Sequence, residues 1–544
     1  MPLNSRMSPG KPGKDATSGT RIALFPAAVT LLVLPLLYMI YQQALGGYQT
    51  DDYSLAWSFI DSIMAMASDT VSRVSAVLTG ALGGGKVHWT PVTNVLLYFT
   101  LDDDRLVRVL IVNLAVVLAM ATAVATFARA MGAGRVPAAL AGAWAGTSQA
   151  LVFAVTSVWG VMNLLAPLLG MLASFMLWRW VSMQCGGCRV DRRLMMYCAG
   201  FLLLFLLALF TKETEIRCAL TAALGGIVLL VCNRSATGPG KVIGLLVAVF
   251  TVVILYFALR YFLTDAQVPL LRTPEEVAQT YHQPRMSLIF FAKNIAQLLL
   301  GSLTPVNSYH IYLLQKNGLS WQLLLSLLPA VALGLALVTG YIWLYLRSSQ
   351  EDRLVLAFCG VFVFSSLFPE ALLGKVSEIY AMATLWPLAL TGALVFGRIS
   401  GYNRPAGAIL SVAAAALITT NVYQAKGKVS EYMVTSDYAH SMRLSMLELT
   451  GDLPAGSRIG LVYQPRSSLA FGPFGEKGIH ASGARPRITP HQWTVFEKGK
   501  ESDAICDMDL VLEESEDRTR VQVMEKYKNS VCGKAGKGDG NAHL

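Results

Sequence analysis

Charged residues are scarce in this sequence. Asp, Glu, Lys and Arg make up 14% of 544 residues, whereas soluble domains carry roughly 25%. Hydrophobic residues make up 54%, which excludes an ordinary soluble protein. Several apolar runs of about 18 residues or more are separated by short basic loops, and this pattern predicts a polytopic membrane protein.

Acidic residues are the scarcer kind of charge, and the formal net charge is +10. In a membrane protein, Lys and Arg in short loops orient the helices, so this excess does not indicate a nucleic acid partner. The first apolar run, residues 22–40, is too long for a removable signal peptide and lacks a small-residue cleavage site. We therefore expect it to remain as a membrane anchor.

Cysteine clusters with metal-binding spacing are missing. Cys185 and Cys188 form a C-x-x-C pair, but no second Cys or His pair lies near them, so neither zinc binding nor redox chemistry is indicated. Cys506 and Cys532 are the two cysteines of the polar C-terminal region. If that region is extracytoplasmic, a disulfide between them is the simplest interpretation.

The apolar runs predict eleven transmembrane spans, and the basic loops between them predict their orientation. Basic loops follow the second, fourth, sixth, eighth and tenth spans, which places the N-terminus and these loops in the cytoplasm. Residues 287–303 are moderately apolar but contain Lys293 and Asn294, so we expect a re-entrant or surface-lying segment. The predicted spans cover residues 22–40, 106–128, 138–158, 162–178, 194–210, 218–232, 242–262, 323–346, 355–373, 381–396 and 406–420.

The fold class that follows is an all-α polytopic membrane protein with a small C-terminal extracytoplasmic α/β domain. Beyond about residue 425 the composition becomes that of a soluble domain, with helical spacing over 430–449 and strand-like runs at 458–463 and 508–512. The predicted divisions are a disordered cytoplasmic tail (1–21), a membrane domain (22–424) with a first outer loop (45–105), an outer domain (425–532) and a disordered tail (533–544).

Polar groups collect at the predicted outer ends of the spans. Asp51 and Asp52 follow the first span, and an acidic pair at a membrane boundary indicates either a functional site or a solvated loop. Lys86 and His88 lie in a Gly-rich stretch of the first outer loop and could donate to an anion. Two further stretches, residues 211–215 and 375–380, carry mixed charges that could equally form simple interfacial ion pairs.

The order of these motifs resembles the GT-C superfamily of integral-membrane glycosyltransferases, which includes bacterial and O-mannosyltransferase-like members. The resemblance rests on Asp51-Asp52, on the sequence Gly85-Lys86-Val87-His88-Trp89-Thr90-Pro91, on Phe210-Thr211-Lys212-Glu213-Thr214, and on Phe368-Pro369 followed by Ser377-Glu378-Ile379-Tyr380. It covers most of residues 22–424. Lys86, His88 and Thr211 depart from the residues commoner in the family, which are Arg and Ser.

The resemblance implies an inverting transfer of a hexosyl or pentosyl group from a polyprenyl-phosphate donor. Asp51 or Asp52 would be the general base, because glycosyl transfer needs a carboxylate to take the acceptor proton and positive charge to stabilise the leaving phosphate. The candidates for binding the donor phosphate are Lys86, His88, Lys212, Arg272 and Arg285. The candidates for orienting the sugar or the acceptor are Glu213, Glu378 and Tyr380.

The resemblance implies no certain cofactor, although Asp51 and Asp52 could hold a divalent cation, Mg²⁺ or Mn²⁺. The expected partners are a polyprenyl-phosphate-linked sugar, a glycan, lipid or protein acceptor, and membrane lipids. The expected location is the bacterial inner membrane, with the active site facing the periplasm. Two alternatives are a transporter or flippase of lipid-linked saccharides, and an enzyme of the O-antigen ligase or polymerase type.

Overall fold

A computed structural model gives the architecture of most of the chain. The residues that it describes are 18–45, 70–79, 90–100, 107–157, 160–185, 192–232, 239–263, 288–306, 311, 314, 318, 320–372, 378–454, 456–463, 492–497, 503–515 and 521–524. The account below concerns these residues alone.

Long helices make up nearly all of the described chain before residue 450. In chain order they are α1 (Ser18–Tyr41), α2 (Thr70–Thr79), α3 (Pro91–Thr100), α4 (Val107–Ala130), α5 (Arg135–Thr147), α6 (Val152–Thr156), α7 (Gly160–Cys185), α8 (Arg192–Thr211), α9 (Arg217–Cys232), α10 (Pro239–Leu263), α11 (Leu288–Leu303), α12 (Trp321–Arg347), α13 (Gln350–Ala371), α14 (Glu378–Tyr402) and α15 (Arg404–Thr450).

Eleven segments of the described chain are long and apolar enough to cross a membrane. They correspond to α1, α4, α5 with α6, α7, α8, α9, α10, α12, α13, α14 and the first part of α15. Large apolar side chains on their outer faces, such as Leu325, Val338 and Ile342, are exposed in the isolated chain. A bilayer would cover such a surface. The predicted membrane protein with about eleven helices is therefore confirmed.

The helix α11 is shorter than these spans. Its 16 residues extend about 24 Å, less than the roughly 30 Å of a hydrocarbon core. It packs against α12, α13 and α14. The Asn294 amide donates to the Ala371 carbonyl (3.0 Å), and the Ser302 hydroxyl donates to the Ala381 carbonyl (2.9 Å). The re-entrant interpretation stays a prediction.

Small residues allow α4 and α5 to approach closely. A Cβ atom added at Gly142 would lie 2.6 Å from the Ala121 carbonyl oxygen, so only glycine fits there. Nearer the start of α4, the buried Asn113 amide donates to the carbonyls of Val155 (3.1 Å) and Ser157 (3.0 Å), where the backbone leaves helical geometry. This contact satisfies carbonyls that would otherwise be unpaired inside the bundle.

The C-terminal region forms a small sheet at the end of α15. Four strands, β1 (Arg458–Tyr463), β2 (Gln492–Glu497), β3 (Leu510–Glu514) and β4 (Val521–Val523), are ordered β2-β1-β3-β4. The strand β1 runs parallel to β2 and β3, whereas β4 is antiparallel to β3. Met446 of α15 packs with Ile459 and Leu512 in a separate core. The predicted α/β unit is present, and its two predicted strands correspond to β1 and β3.

Candidate functional site

The junction between α8 and α9 carries an unusual density of charge. The helix α8 ends at Thr211, Lys212 is extended (φ −161°, ψ 130°), and Glu213–Ile216 form one 3-10 turn before α9 begins. The Thr93 hydroxyl of α3 donates to the Thr211 carbonyl (3.1 Å). This bond satisfies a carbonyl of the last helical turn, and it places part of the chain between the first two spans against the junction.

Lys212 is only 8% exposed, yet its ammonium contacts two neutral groups. Its ammonium donates to the Asn163 amide oxygen at 2.8 Å and lies 4.7 Å from the centre of the Tyr380 ring. An ammonium at this distance from an aromatic face gains cation–π stabilisation. The first turns of α7 and α14 supply these two residues, so three helix ends together hold one positive charge.

Burial lowers the pKa of Lys212, which lies between two spans and belongs to neither. The Glu370 carboxylate is the strongest of the charges that oppose this shift, with smaller contributions from Glu213 and Glu215, while Arg217 adds to it. Desolvation is the largest cause, because an ammonium loses its hydration inside the protein. The positive charge of Lys212 is therefore lost at a lower pH than that of an exposed lysine.

Glu215, Arg217 and Glu370 form a buried ionic triad beside Lys212. The Arg217 guanidinium contacts both carboxylate oxygens of Glu215, with Nε 3.0 Å from Oε2, and its Nη1 lies 3.7 Å from Glu370 Oε1. Glu215 and Glu370 are 0% and 2% exposed. Carboxylates buried to this extent depend on a paired cation, so the Arg217 fork ties α9 to the end of α13.

Gly170 of α7 makes room for the Glu215 carboxylate. A Cβ atom added at Gly170 would lie 2.2 Å from Glu215 Oε2, inside van der Waals contact. A third ion pair lies nearby, with Arg260 Nη1 of α10 at 3.9 Å from Glu213 Oε1. Arg260 is fully buried at the end of its helix.

These side chains form one group, called here the charged cluster. Its members are Lys212, Glu213, Glu215, Arg217, Arg260 and Glu370. They are three basic and three acidic residues, all at one end of the helices. Among the residues that the structure describes, Lys212 is the one basic member without a carboxylate oxygen within 4.0 Å. Its charge is thus the one that an external anion could use.

The structure brings together three of the residues selected from the sequence. Lys212, Glu213 and Tyr380 lie in or against the charged cluster. Glu378 begins α14, but its side chain is outside the described residues, as are six other candidates. Those six are Asp51, Asp52, Lys86, His88, Arg272 and Arg285.

Only one of the two cysteines of the predicted disulfide is among the described residues. Cys506 is disulfide-bonded, but its predicted partner Cys532 lies outside them. The divalent cation suggested for Asp51 and Asp52 likewise concerns residues that are not described. The described residues contain no group of three or more His, Cys, Asp or Glu side chains that could hold a metal ion.

The sequence interpretation missed five members of this site. The residues that were not selected, although each contacts a cluster residue, are Asn163, Glu215, Arg217, Arg260 and Glu370. A signal was present for three of them, because Arg217, Arg260 and Glu370 are ionisable residues at the ends of long apolar runs. Asn163 carries no comparable signal, since an amide near a helix start is common.

Comparisons with known proteins support the fold. The sequence matches no family profile and no curated protein sequence. The structure is similar to that of the archaeal oligosaccharyltransferase AglB from Archaeoglobus fulgidus, solved with an inhibitory peptide and a dolichol-phosphate. The TM-score is 0.50 at 10% identity, covering 88% of this chain and 65% of the AglB chain. This chain therefore spans just under two thirds of the length of that enzyme.

Two structures of ArnT from Cupriavidus metallidurans are also similar. The undecaprenyl-phosphate-bound form has a TM-score of 0.45 at 11% identity, covering 92% of this chain and 94% of ArnT. The apo form has a TM-score of 0.46 at 10% identity, covering 89% and 87%. At such identities, structural similarity concerns the fold. The fold expected from the sequence resemblance is confirmed by the likeness to AglB.

Proposed function

We propose that this chain, which has a GT-C-like membrane fold, is a glycosyltransferase that uses a sugar linked to polyprenyl phosphate. The observation that carries the proposal is Lys212. It is a buried cation at the end of a span, held by an amide and an aromatic ring rather than by a carboxylate. A point charge in this setting suits the phosphate of a lipid donor whose chain stays in the bilayer.

The proposed chemistry is a single inverting displacement. The acceptor oxygen attacks the anomeric carbon, the bond to the donor phosphate breaks, and the phosphate leaves with the electron pair. Asp51 or Asp52 takes the acceptor proton, and Lys212 stabilises the charge on the phosphate. Lys86, His88, Arg272 and Arg285 remain candidates for the same phosphate. A divalent cation at the aspartates would add a further positive charge to the site.

The remaining cluster residues have positioning roles in this proposal. Arg217 and Arg260 hold Glu215, Glu370 and Glu213 in place. Of these, Glu213 is the most accessible, at 19% side-chain exposure, so it can reach a sugar hydroxyl. Tyr380 fixes Lys212 through its ring, and we keep Glu378 as a further candidate for orienting the sugar or acceptor.

The placement of the charges favours an enzyme over the transporter alternative. Transport sites usually lie near the middle of the bilayer, at discontinuous helices. Here Arg217 is in the first turn of α9, Arg260 is in the last turn of α10, and Glu370 is in the last turn of α13. A cluster at helix ends suits a reaction at the membrane surface. By the positive-inside rule this surface is the extracytoplasmic one, the periplasmic face of a bacterial inner membrane.

Donor binding can be measured on the purified full-length protein in detergent. Undecaprenyl phosphate should raise the melting temperature, whereas undecaprenol, which lacks the phosphate, should not. The Lys212→Gln variant should bind undecaprenyl phosphate at least tenfold more weakly, because a lost charge-assisted contact costs about 1.5–3 kcal/mol. The matched control is Lys426→Gln, which removes the same charge from an exposed position on α15.

The proposal would be contradicted if undecaprenyl phosphate and undecaprenol raised the melting temperature equally. It would also be contradicted if Lys212→Gln and Lys426→Gln weakened the binding of undecaprenyl phosphate equally. The acceptor requires a second experiment, deletion of the gene followed by glycan analysis of the cell envelope. A missing hexose or pentose would identify the sugar and its acceptor together.

A further inference from the structure

A cavity lies at the opposite end of the bundle from the charged cluster. It has a volume of about 260 Å³ and opens between α7, α8 and α10. Leu194 lines it near the first turn of α8, and Lys212 follows the last turn of the same helix. At 1.5 Å per helical residue, roughly 27 Å separate the two places along the helix axis. The cavity is therefore not part of the proposed donor site.

The cavity combines apolar walls with one fixed polar pair. Trp180 and Met195 supply apolar surface, and Lys241 and Gln184 lie at the end nearest the loops. The Lys241 ammonium donates to the Gln184 amide oxygen at 2.8 Å. Gln184 is only 2% exposed, while Lys241 is exposed. A buried amide thus holds an accessible cation at the mouth of an apolar groove.

The three helices around the cavity contain no acidic residue. The sequences of α7, α8 and α10 include neither Asp nor Glu. Their ends on this side of the bundle carry Arg179, Arg192, Arg193 and Lys241, and Arg192 and Arg193 are exposed directly before Leu194. Asp191 precedes α8 in the sequence, but one carboxylate does not balance these four basic residues. A ligand that matches this surface has an anionic group for the basic residues and an apolar tail for the cavity walls.

We propose that this cavity binds one anionic phospholipid from the surrounding leaflet. The headgroup phosphate lies at Lys241 and the arginines of the first turn of α8, and an acyl chain lies along Trp180 and Met195. Basic pockets between helices at the cytoplasmic surface suit such headgroups. A free phosphate would leave the apolar walls uncovered, and a zwitterionic lipid would supply no net charge. Gly244 leaves space for the chain, since a Cβ atom added there would meet nothing within 4 Å.

Lipid selectivity tests the charge part of this proposal. The full-length protein is delipidated in detergent and offered phosphatidylglycerol or phosphatidylcholine with identical chains, and bound lipid is counted by native mass spectrometry. We expect the parent protein to retain one phosphatidylglycerol. Lys241→Gln should bind it about fivefold more weakly, because this is the effect of one basic residue near an anionic headgroup. Arg404→Gln, an exposed position at the start of α15, removes the same charge and should bind as the parent does.

Two glycine variants test the place of binding. Gly244→Leu fills the cavity, whereas Gly240→Leu lies one turn earlier on α10, also with open space at its Cβ position, and does not line it. We expect Gly244→Leu to lose the retained lipid and Gly240→Leu to keep it. If Gly244→Leu does not fold, the proposal is tested by comparing phosphatidylglycerol binding in Lys241→Gln and Arg404→Gln.

Four outcomes would overturn the proposal. They are equal retention of the two phospholipids, equal binding by Lys241→Gln and Arg404→Gln, retained lipid in a folded Gly244→Leu variant, and displacement of phosphatidylglycerol by undecaprenyl phosphate or inorganic phosphate at equal concentration. The last would identify the occupant as the donor lipid or as a free anion.

Discussion

At the scale of single residues, Lys212 differs from the other cations of the charged cluster. Arg217 and Arg260 are paired with carboxylates, and their forked guanidinium groups suit that role. Lys212 instead contacts the Asn163 amide and the Tyr380 ring. These neutral partners fix its position, and no cluster carboxylate pairs with it directly, so its ammonium can still contact an anion.

The lowered pKa of Lys212 predicts the pH dependence of donor binding. Binding needs the protonated amine, which is lost as the pH rises through its pKa, and burial places that pKa below the ordinary lysine value. Affinity for undecaprenyl phosphate should therefore fall on the alkaline side, earlier than an exposed lysine would allow. Lys212→Arg should move this fall to higher pH, because a guanidinium stays protonated.

The measurement is the dissociation constant of undecaprenyl phosphate as a function of pH for the parent and Lys212→Arg. Lys426→Arg controls for the general effect of exchanging lysine for arginine on the exposed surface of α15. An alkaline fall at the same pH in the parent and Lys212→Arg would show that another group titrates.

At the scale of elements, the site depends on how closely α7 approaches the turn between α8 and α9. The carboxylate of Glu215 lies where the side chain of residue 170 would be in any residue larger than glycine. The α7 helix therefore leaves space for the Glu215 carboxylate because residue 170 has no side chain. Sequence periodicity does not reveal such a contact, because it shows which face is apolar and not which neighbour lies against it.

Gly170→Ala should consequently destabilise the protein. The added methyl group would force Glu215 away from Arg217, and overpacking of this kind costs about 1–3 kcal/mol. The control is Gly200→Ala on α8, where the nearest atom to the added Cβ would be Met176 Cγ at 3.6 Å, an ordinary contact. Thermal unfolding in detergent measures both, and equal melting temperatures would contradict the close approach at Gly170.

A second element, α15, links the membrane domain to the sheet. Its 47 residues extend about 70 Å, more than twice the thickness of a hydrocarbon core. The apolar part ends near Val434, and Met446 packs in the core beneath the sheet. The helix runs without interruption past residue 425, where the change in composition suggested a domain boundary. That boundary stays a prediction.

At the scale of the whole molecule, the two ends of the bundle differ in charge. The charged cluster mixes acids and bases at one end, and arginines and lysines dominate the described helix ends at the other. The odd number of spans among the described residues places the sheet at the same end as the cluster. A disulfide in that sheet region would fit an oxidising compartment.

Mass spectrometry of the non-reduced protein tests this orientation. Peptides containing Cys506 and Cys532 should be joined, whereas Cys198, Cys218 and Cys359, which are free thiols, should take up an alkylating reagent after denaturation. These three serve as the internal control for complete alkylation. Alkylation of Cys532 without reduction would contradict the predicted pairing and remove its support for an extracytoplasmic domain.

The sequence by itself determined the membrane architecture of this protein. Apolar runs long enough to cross a bilayer and basic residues in alternate loops act locally, so they can be identified one segment at a time. The same local patterns predicted the strands corresponding to β1 and β3 and selected Lys212, Glu213 and Tyr380 as neighbours of the proposed chemistry.

Only the tertiary structure decided which charges meet. Glu215 is two residues from Arg217, but Glu370 and Arg260 are distant in sequence and reach the cluster because α13 and α10 pack beside α9 and the turn before it. The space left by Gly170 and the amide of Asn163 depend on the same packing. Burial makes these contacts strong and selective, since a charge removed from water must find its partner inside the protein, and that partner is set by the three-dimensional arrangement of the helices.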